Sequence, residues 1–435
     1  MIPGRSLLRG RDFRLVAGAV GLSALGDWVA IVALGLYMKE TTDSGLEVAG
    51  LWVCLFGPSV VVAGQAGLLV DRIETTRLLA GVSLLGAVVA AVLGFTTGTV
   101  ALVALTALLG LAFAILQPAE FALVPRLAGN RVLEANGHVE TARYVGFGLG
   151  PLLGGLLFSA GGLEPAMLVD AATFVAVAGA ALALRVRRQP RRLEEAERTP
   201  RARDGVAFLF GDRVLSLVMV VAFSSLLFMS AVWVGELFFV EGVLERGDIA
   251  YGLMLSIWTI GMALGALLLS PRVAVGAVAT TGLAAVAVQG TGLALPALWP
   301  SFAFFLACSL MGGLAHGMKN VMFRSLIHVR VPGRLHGRVF AAYNGIRNAA
   351  EVGAFAAGGL LVTAIGPRGT LAYAGGISAL AGLIGLLVLL RMKSGWVPSG
   401  LIGPLAGAAG GSSEPRRPAQ PAPGVAPAAH ATQSA

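Results

Sequence analysis

Apolar stretches long enough to cross a lipid bilayer follow one another along almost the whole of this chain. A bilayer core offers no water to pair with exposed backbone groups, so such a chain folds as a helical bundle or a closed barrel. A barrel is disfavoured, because no run of segments of about ten residues alternates polar and apolar side chains. With ~20 apolar residues per crossing, the pattern predicts helices near 15–37, 46–69, 77–96, 99–121, 136–160 and 165–185. A second six is predicted near 214–240, 249–270, 274–296, 300–326, 338–364 and 369–391. Of the 435 residues, 56% are hydrophobic and only 13% charged, too apolar a balance for a soluble domain of this length. The expected class is an all-α membrane protein with twelve transmembrane helices in two pseudo-symmetric six-helix halves, 1–185 and 214–395. A charged linker, 186–213, joins them, and a tail at 396–435, rich in Pro, Ala, Gly and Ser, lacks the apolar residues to build a core and is expected to be disordered.

The halves share a sequence echo. In GHVETARYVGFGLGPLLGGLL (137–157) glycines fall at 137, 146, 150, 154 and 155 around Pro151. Glycines four apart lie on one helix face and admit a neighbouring backbone, while proline removes a donor and bends the helix. Shifting by 204 residues brings Gly154-Gly155-Leu156-Leu157 onto Gly358-Gly359-Leu360-Leu361, Arg143 onto Arg347 and Arg126 onto Arg330. An internal duplication containing a bent, glycine-rich helix points to a transporter built of two related halves.

Basic residues give the orientation. Of the 32 Lys and Arg, only Lys39, Arg246 and Arg368 fall in loops on one side, and Arg143, Lys319, Arg324 and Arg347 lie in or at the ends of spans. The rest lie before the first span, in the loops of the other side, in the linker or after the last span, so both termini are expected in the cytoplasm of a cell membrane protein. The net charge of +9 is then a topology signal, not a nucleic-acid footprint. Arg5, Arg9, Arg11 and Arg14 before the first span imitate a signal peptide, but that run is too long, carries Asp27 and leads into further spans. Cys54 and Cys308 lie in apolar segments without ligand-spaced partners and read as packing residues, with no disulfide and no metal site.

Two motifs carry a family resemblance. Between spans 2 and 3, GLLVDRIETTRLL resembles the signature loop G-x-x-x-D-R-x-G-R-R of the major facilitator superfamily at Gly67, Asp71 and Arg72. It departs from that pattern at Glu74 and Thr75-Thr76. The corresponding stretch of the second half has Gly265, Pro271 and Arg272 but no aspartate. In span 5, Gly137, Gly146, Gly150, Pro151, Gly154 and Gly155 are similar to the antiporter motif of the same superfamily, G-x8-G-x3-G-P-x2-G-G, without a gap. LSALGDW, QPAEFALVP and LVDAATF resemble the branch of macrolide-efflux proteins and siderophore exporters. The resemblance implies the superfamily fold, a gating role for Asp71 and Arg72, export in exchange for protons, and a single working chain. One departure is that residues 101–116 carry no charge where many drug–proton exporters have an arginine.

Ionisable residues inside spans are costly unless they face a cavity or a partner. Asp27, midway along span 1, is the leading candidate for proton or substrate coupling, against a structural hydrogen bond to another helix. Glu140 with Arg143, and Arg347 with Glu351, are spaced to meet on one helix face, either as bridges locking a conformational state or as substrate contacts. Glu236 titrates or lies near the outer interface with Glu241; Lys319 is a counter-charge for Asp27 or a snorkelling residue; Gln117 is a further substrate or proton-coupling candidate, and the backbone carbonyl freed by Pro118 is satisfied by it or by water. Asp170 reads as a solvated residue at a helix start, and for most of Trp28, Trp52, Trp233 and Trp258 an interface belt is the plainer reading than a stacking surface.

No phosphate-binding G-x-x-x-x-G-K-[ST] loop and no Ser/His/Asp set is present, so the expectation is neither an ATP-driven pump nor an enzyme, and no cofactor is required. The sequence reading is secondary active transport, by alternating access, of a small lipophilic drug or natural product out of the cell. A proton gradient drives it; an uptake symporter or a membrane scaffold or sensor is the alternative.

Overall fold

In the computed structural model, residues 7–62, 69, 72–128, 131–186, 202–332 and 335–392 are described. They form helices and no strands. The first half comprises α1 (Arg11–Thr42), α2 (Gly45–Val61), α3 (Thr75–Gly94), α4 (Thr99–Ala128), α5 (Val132–Gly161) and α6 (Leu163–Ala183). A short helix, α7 (Ala202–Gly211), lies in the predicted linker. The second half comprises α8 (Arg213–Phe238, extended by a π turn to Val243), α9 (Asp248–Leu264, likewise extended to Leu269), α10 (Val278–Leu298) and α11 (Phe302–Arg330). The last stretch, His336–Met392, is two helices, α12 and α13, separated at Gly366, which has φ 69° and ψ 171°. Among the described residues, ten stretches are long and apolar enough to span a membrane. One of them is divided at Gly366, and the shorter Gly45–Val61 occupies the predicted second span, so the twelve-helix bundle is present. The signature-loop residues Gly67 and Asp71 and the tail 396–435 lie outside the described residues.

The 204-residue echo is structural. Gly162, which ends α5, has φ 71°, and Gly366, 204 residues later, has φ 69°. A left-handed residue at the end of a helix is where glycine is needed, since a Cβ there meets the following carbonyl. Residues 132 and 336, which open α5 and α12, are also 204 apart.

Small residues let the helices of one half approach. An ideal Cβ on Gly26 of α1 would collide with Thr173 Oγ1 and stand 2.6 Å from Asp170 Oδ1 of α6. Gly86 of α3 makes room for the Phe174 ring, and Gly110 of α4 lies on the Leu55 carbonyl of α2. Chain ends are tied by polar caps: Asp12 Oδ2 accepts from the amides of Arg185 (3.0 Å) and Val186 (2.9 Å). In the second half Asp212 Oδ1 caps α8, accepting from the amides of Val214 and Leu215, and its Oδ2 receives Arg330 Nη1 at 2.5 Å. Leu209 of α7 is fully buried in a cluster with Leu215, Ile327 and Val339, which seats the linker helix on the second half.

Among the described residues, contacts between the halves gather toward the face opposite the one where α1 begins. Lys39 Nζ at the end of α1 meets Glu241 Oε2 at the end of α8, at 2.6 Å. Deeper in, the Leu152 amide donates to Ser256 Oγ at 3.0 Å, and Thr259 Oγ1 donates to the Phe147 carbonyl at 2.8 Å. Phe56 stacks on Phe355 with ring centroids 5.4 Å apart.

Candidate functional site

The glycine run of α5 has two faces with two partners. On one, Gly146, Gly150 and Gly154 lie against the backbone of α1: their ideal Cβ atoms would stand 2.5 Å from the Gly21 oxygen, 2.8 Å from the Leu25 oxygen and 2.9 Å from the Val29 oxygen. On the other, a Cβ on Gly155 would stand 2.6 Å from the Asp248 oxygen of α9, while Gly252 of α9 sits on the Pro151 carbonyl. The echo repeats this division. Gly358 of α12 lies on Ala231 of α8, in its own half, and Gly359 lies on Gly45 and Ala49 of α2, in the other half. Each glycine pair therefore joins one residue that builds a half to one residue where the halves meet. Gly137 differs from the rest of the run: nothing lies within 4 Å of its Cβ position, so it makes no close helix contact.

Between the halves lies a cavity of about 150 Å³, room for on the order of ten waters. Three tryptophans form much of its apolar wall: Trp28 of α1, Trp233 of α8 and Trp258 of α9. Trp28 and Trp233 meet edge to face at 5.5 Å, so the wall is continuous across the two halves. This corrects the interface-belt expectation for these three residues; Trp52 is buried against Gly35 instead. The polar wall belongs to the second half: His316, Lys319 and Asn320 of α11, and Tyr343, Arg347 and Glu351 of α12. Arg347 and Glu351 do not pair. Arg347 Nη2 donates to Asn348 Oδ1 at 3.2 Å, and its Nε has no hydrogen-bond partner. Lys319, 4% exposed, touches His316 Nδ1 at 3.3 Å and has Arg347 and Glu351, not Asp27, as its charged neighbours.

A second polar group is buried inside the first half. Asp27 of α1 has Asp170 of α6, Glu120 of α4 and Arg143 of α5 as its charged neighbours. Arg143 Nη2 lies 3.7 Å from Glu120 Oε2, so the arginine takes its carboxylate from another helix and not from Glu140. Asp170 is fully buried, with the Thr173 hydroxyl on its own backbone carbonyl at 2.7 Å, which corrects its reading as a solvated residue at a helix start. Glu120 also lines a narrow apolar crevice between α1, α3, α4 and α6, separate from the cavity. Sequence reasoning does not single out Glu120 and Asp170 as coupling residues. Their signal is the same as that of Asp27, an acid within an apolar run, but each sits near a predicted helix end.

The remaining candidates lie apart. Glu236 is buried in α8 near Tyr251, Glu140 is half-buried and Gln117 exposed, and none of them lines the cavity. Arg72 is exposed, and Glu74, where the signature loop has glycine, precedes α3, its carboxylate accepting from Thr76 Oγ1 (2.6 Å) and pairing with Arg77 Nε (2.9 Å).

The family model of the Major Facilitator Superfamily matches residues 16–247, more than half of the chain. The chain belongs to this superfamily. Solved structures agree in fold. The nucleoside transporter NupG is 15% identical, with a TM-score of 0.67 over 87% of this chain and 99% of that one. A peptide transporter POT in complex with sulfate is 14% identical, with a TM-score of 0.69 over 90% of this chain and 97% of that one. The human organic anion transporter MFSD10 (TETRAN) is 16% identical, with a TM-score of 0.63 over 86% of this chain and 99% of that one. No curated protein matches the sequence. The protein is thus a multi-pass membrane transporter of the secondary type, and its cavity is walled by the second half together with Trp28 of the first.

Proposed function

We propose that this facilitator exports a small, largely apolar molecule from the cytoplasm across the cell membrane in exchange for protons. The observation that carries the reading is the cavity, walled by Trp28, Trp233 and Trp258 across both halves. In this conformer the halves meet toward the opposite face, through Lys39 with Glu241 and Gly155 with Asp248. Alternating access then requires those contacts to part while the other end closes. The basic loops favour the cytoplasm for the end where α1 begins, and on that reading this is the inward-facing arrangement. Export is supported by the glycine run of α5, whose positions 146 to 155 form the close contacts that the antiporter resemblance implies.

Proton coupling is assigned to Asp27 with Glu120, Asp170 and Arg143. Three carboxylates near one arginine cannot all be matched in charge, so a proton exchanged there changes the cost of burying the group, and with it the balance between conformers. Gly26 ties this cluster to the α1–α6 crossing, and Trp28, the neighbour of Asp27, is part of the cavity wall. The chain acts as a monomer, 1–185 and 214–395 being its two moving units.

The test is movement of a panel of lipophilic drugs and dyes into inverted vesicles under an imposed proton gradient, with Asp27→Asn beside the wild type. Accumulation that collapses with a protonophore and is lost in Asp27→Asn is the expected result. Movement that persists unchanged in Asp27→Asn removes Asp27 from coupling. A second reading, import of a more polar solute, draws on the likeness to a nucleoside transporter and a peptide transporter. Accumulation in right-side-out vesicles alone, driven by the inward gradient, would replace export with it.

A further inference from the structure

The two sides of the cavity differ in charge. Its wall holds five ionisable side chains, His316, Lys319, Tyr343, Arg347 and Glu351, and among them the single carboxylate of Glu351 stands against the two cations Lys319 and Arg347. No carboxylate among the described residues lies within ion-pair distance of either, although Glu351 is one helical turn from Arg347. Lys319 is almost wholly buried with its ammonium against a histidine nitrogen, and the Nε of Arg347 is shut from solvent with nothing to bond. A buried ammonium and a guanidinium donor without an acceptor are costly arrangements unless something supplies negative charge. Both sit on the wall that the second half contributes, and the tryptophan wall, running from Trp28 to Trp258, completes the enclosure.

We propose that the cavity receives its substrate as an organic anion, with an acidic group held by Lys319 Nζ and the Arg347 guanidinium and an aromatic body against Trp28, Trp233 and Trp258. This deepens the transport reading and rests on the cavity being the substrate site. Arg347 is suited to the task because a planar guanidinium matches a carboxylate in two parallel hydrogen bonds, and Lys319 adds a point charge beside it. Glu351 is the group that an incoming anion must tolerate. Set against two cations it leaves one positive charge unmatched, which narrows the choice to singly charged acids. The Trp258 ring, 5.8 Å from the His316 ring, keeps the aromatic and cationic walls adjacent, so one short molecule can reach both.

The experiment is calorimetric titration of the purified full chain in lipid nanodiscs with three probes of one shape, 2-naphthoate, 2-naphthamide and 2-naphthylmethylammonium, with protein-free nanodiscs as reference. The expected result is that naphthoate binds about tenfold or more tightly than the amide, the scale of one charge-assisted hydrogen bond. The ammonium probe is expected to be weakest. Lys319→Met and Arg347→Gln should each remove most of the preference, Arg347→Lys should keep part of it, and Glu351→Gln should tighten naphthoate further. A Lys319→Met protein that does not fold leaves the case to Arg347→Lys and Glu351→Gln, which retain or remove charge without a cavity. Equal binding of the acid and the amide, or a preference that survives in Arg347→Gln, overturns the anion assignment while the cavity remains a substrate site. Heat from none of the three probes above the protein-free reference overturns both.

Discussion

Replacing Gly155 by alanine puts a methyl group 2.6 Å from the Asp248 carbonyl oxygen, 3.2 Å from its carbon and 3.3 Å from the Ile249 Cα. All three atoms are backbone of α9, in the other half, so no side chain can turn aside. An ordinary contact of this kind is roughly 0.8 Å longer, and overpacking of this degree costs about 1–3 kcal/mol. That cost falls only on the conformer in which α5 and α9 touch there. The ratio of open to closed forms at the opposite face should therefore rise by about five- to 150-fold. Gly359→Ala, with its Cβ 2.6 Å from Ala49 Cβ and 2.7 Å from the Gly45 oxygen, should act in the same direction. Gly154→Ala is the control, because its Cβ position lies against Val29 and Val32 of its own half. It should lower thermal stability in both conformers and leave their ratio unchanged. Spin labels at the exposed positions Glu40 and Glu245, in a protein with Cys54 and Cys308 replaced, report the separation of the halves at that face. Double electron–electron resonance should show a longer-distance population growing in Gly155→Ala and Gly359→Ala. The same distribution in wild type and Gly155→Ala, or an equal shift in Gly154→Ala, would refute the division of the glycines between building a half and joining two.

Lys39→Ala and Glu241→Ala should open the same face, more weakly: the pair is partly exposed, 20% and 12% for the two side chains, and a bridge of this kind is worth on the order of 1 kcal/mol. The spin-label distances should shift by roughly fivefold in ratio, and the double variant should add little to either single one. Inside the first half, Arg143→Gln leaves Glu120 and Asp27 buried without their cation, a loss of about 3–5 kcal/mol in thermal unfolding, whereas Glu120→Gln, which leaves Arg143 with Asp27 as a charged neighbour, should cost less. Combining the two should recover part of that loss; a double variant no better than the worse single one would show that the 3.7 Å approach is not a working ion pair.

Much of the architecture could be read without coordinates. Span lengths predict the twelve helices, because the bilayer obliges each crossing to satisfy its own backbone. The 204-residue offset predicts the two halves, since Gly154-Gly155 and Gly358-Gly359 are set apart by their lack of side chains, a property that needs no context to recognise. Pairings failed where geometry across helices decides them. Glu140 with Arg143 and Arg347 with Glu351 satisfy the spacing rule on one helix, yet Arg143 reaches Glu120 on α4 and Arg347 faces the cavity.

The sequence by itself determined the solvent of this protein, the number of its crossings, its internal repeat and its superfamily, all of which depend on local composition and on residues held at fixed spacing. Only the tertiary structure decided which charges share a site. Asp27, Glu120, Arg143 and Asp170 come from four helices of the first half, whereas Lys319, Arg347 and Glu351 come from two of the second. An acid in an apolar segment announces that it needs a partner, but its burial cost is the same whichever helix supplies that partner. Which one does is settled by the packing of whole helices through glycines such as Gly26 and Gly150.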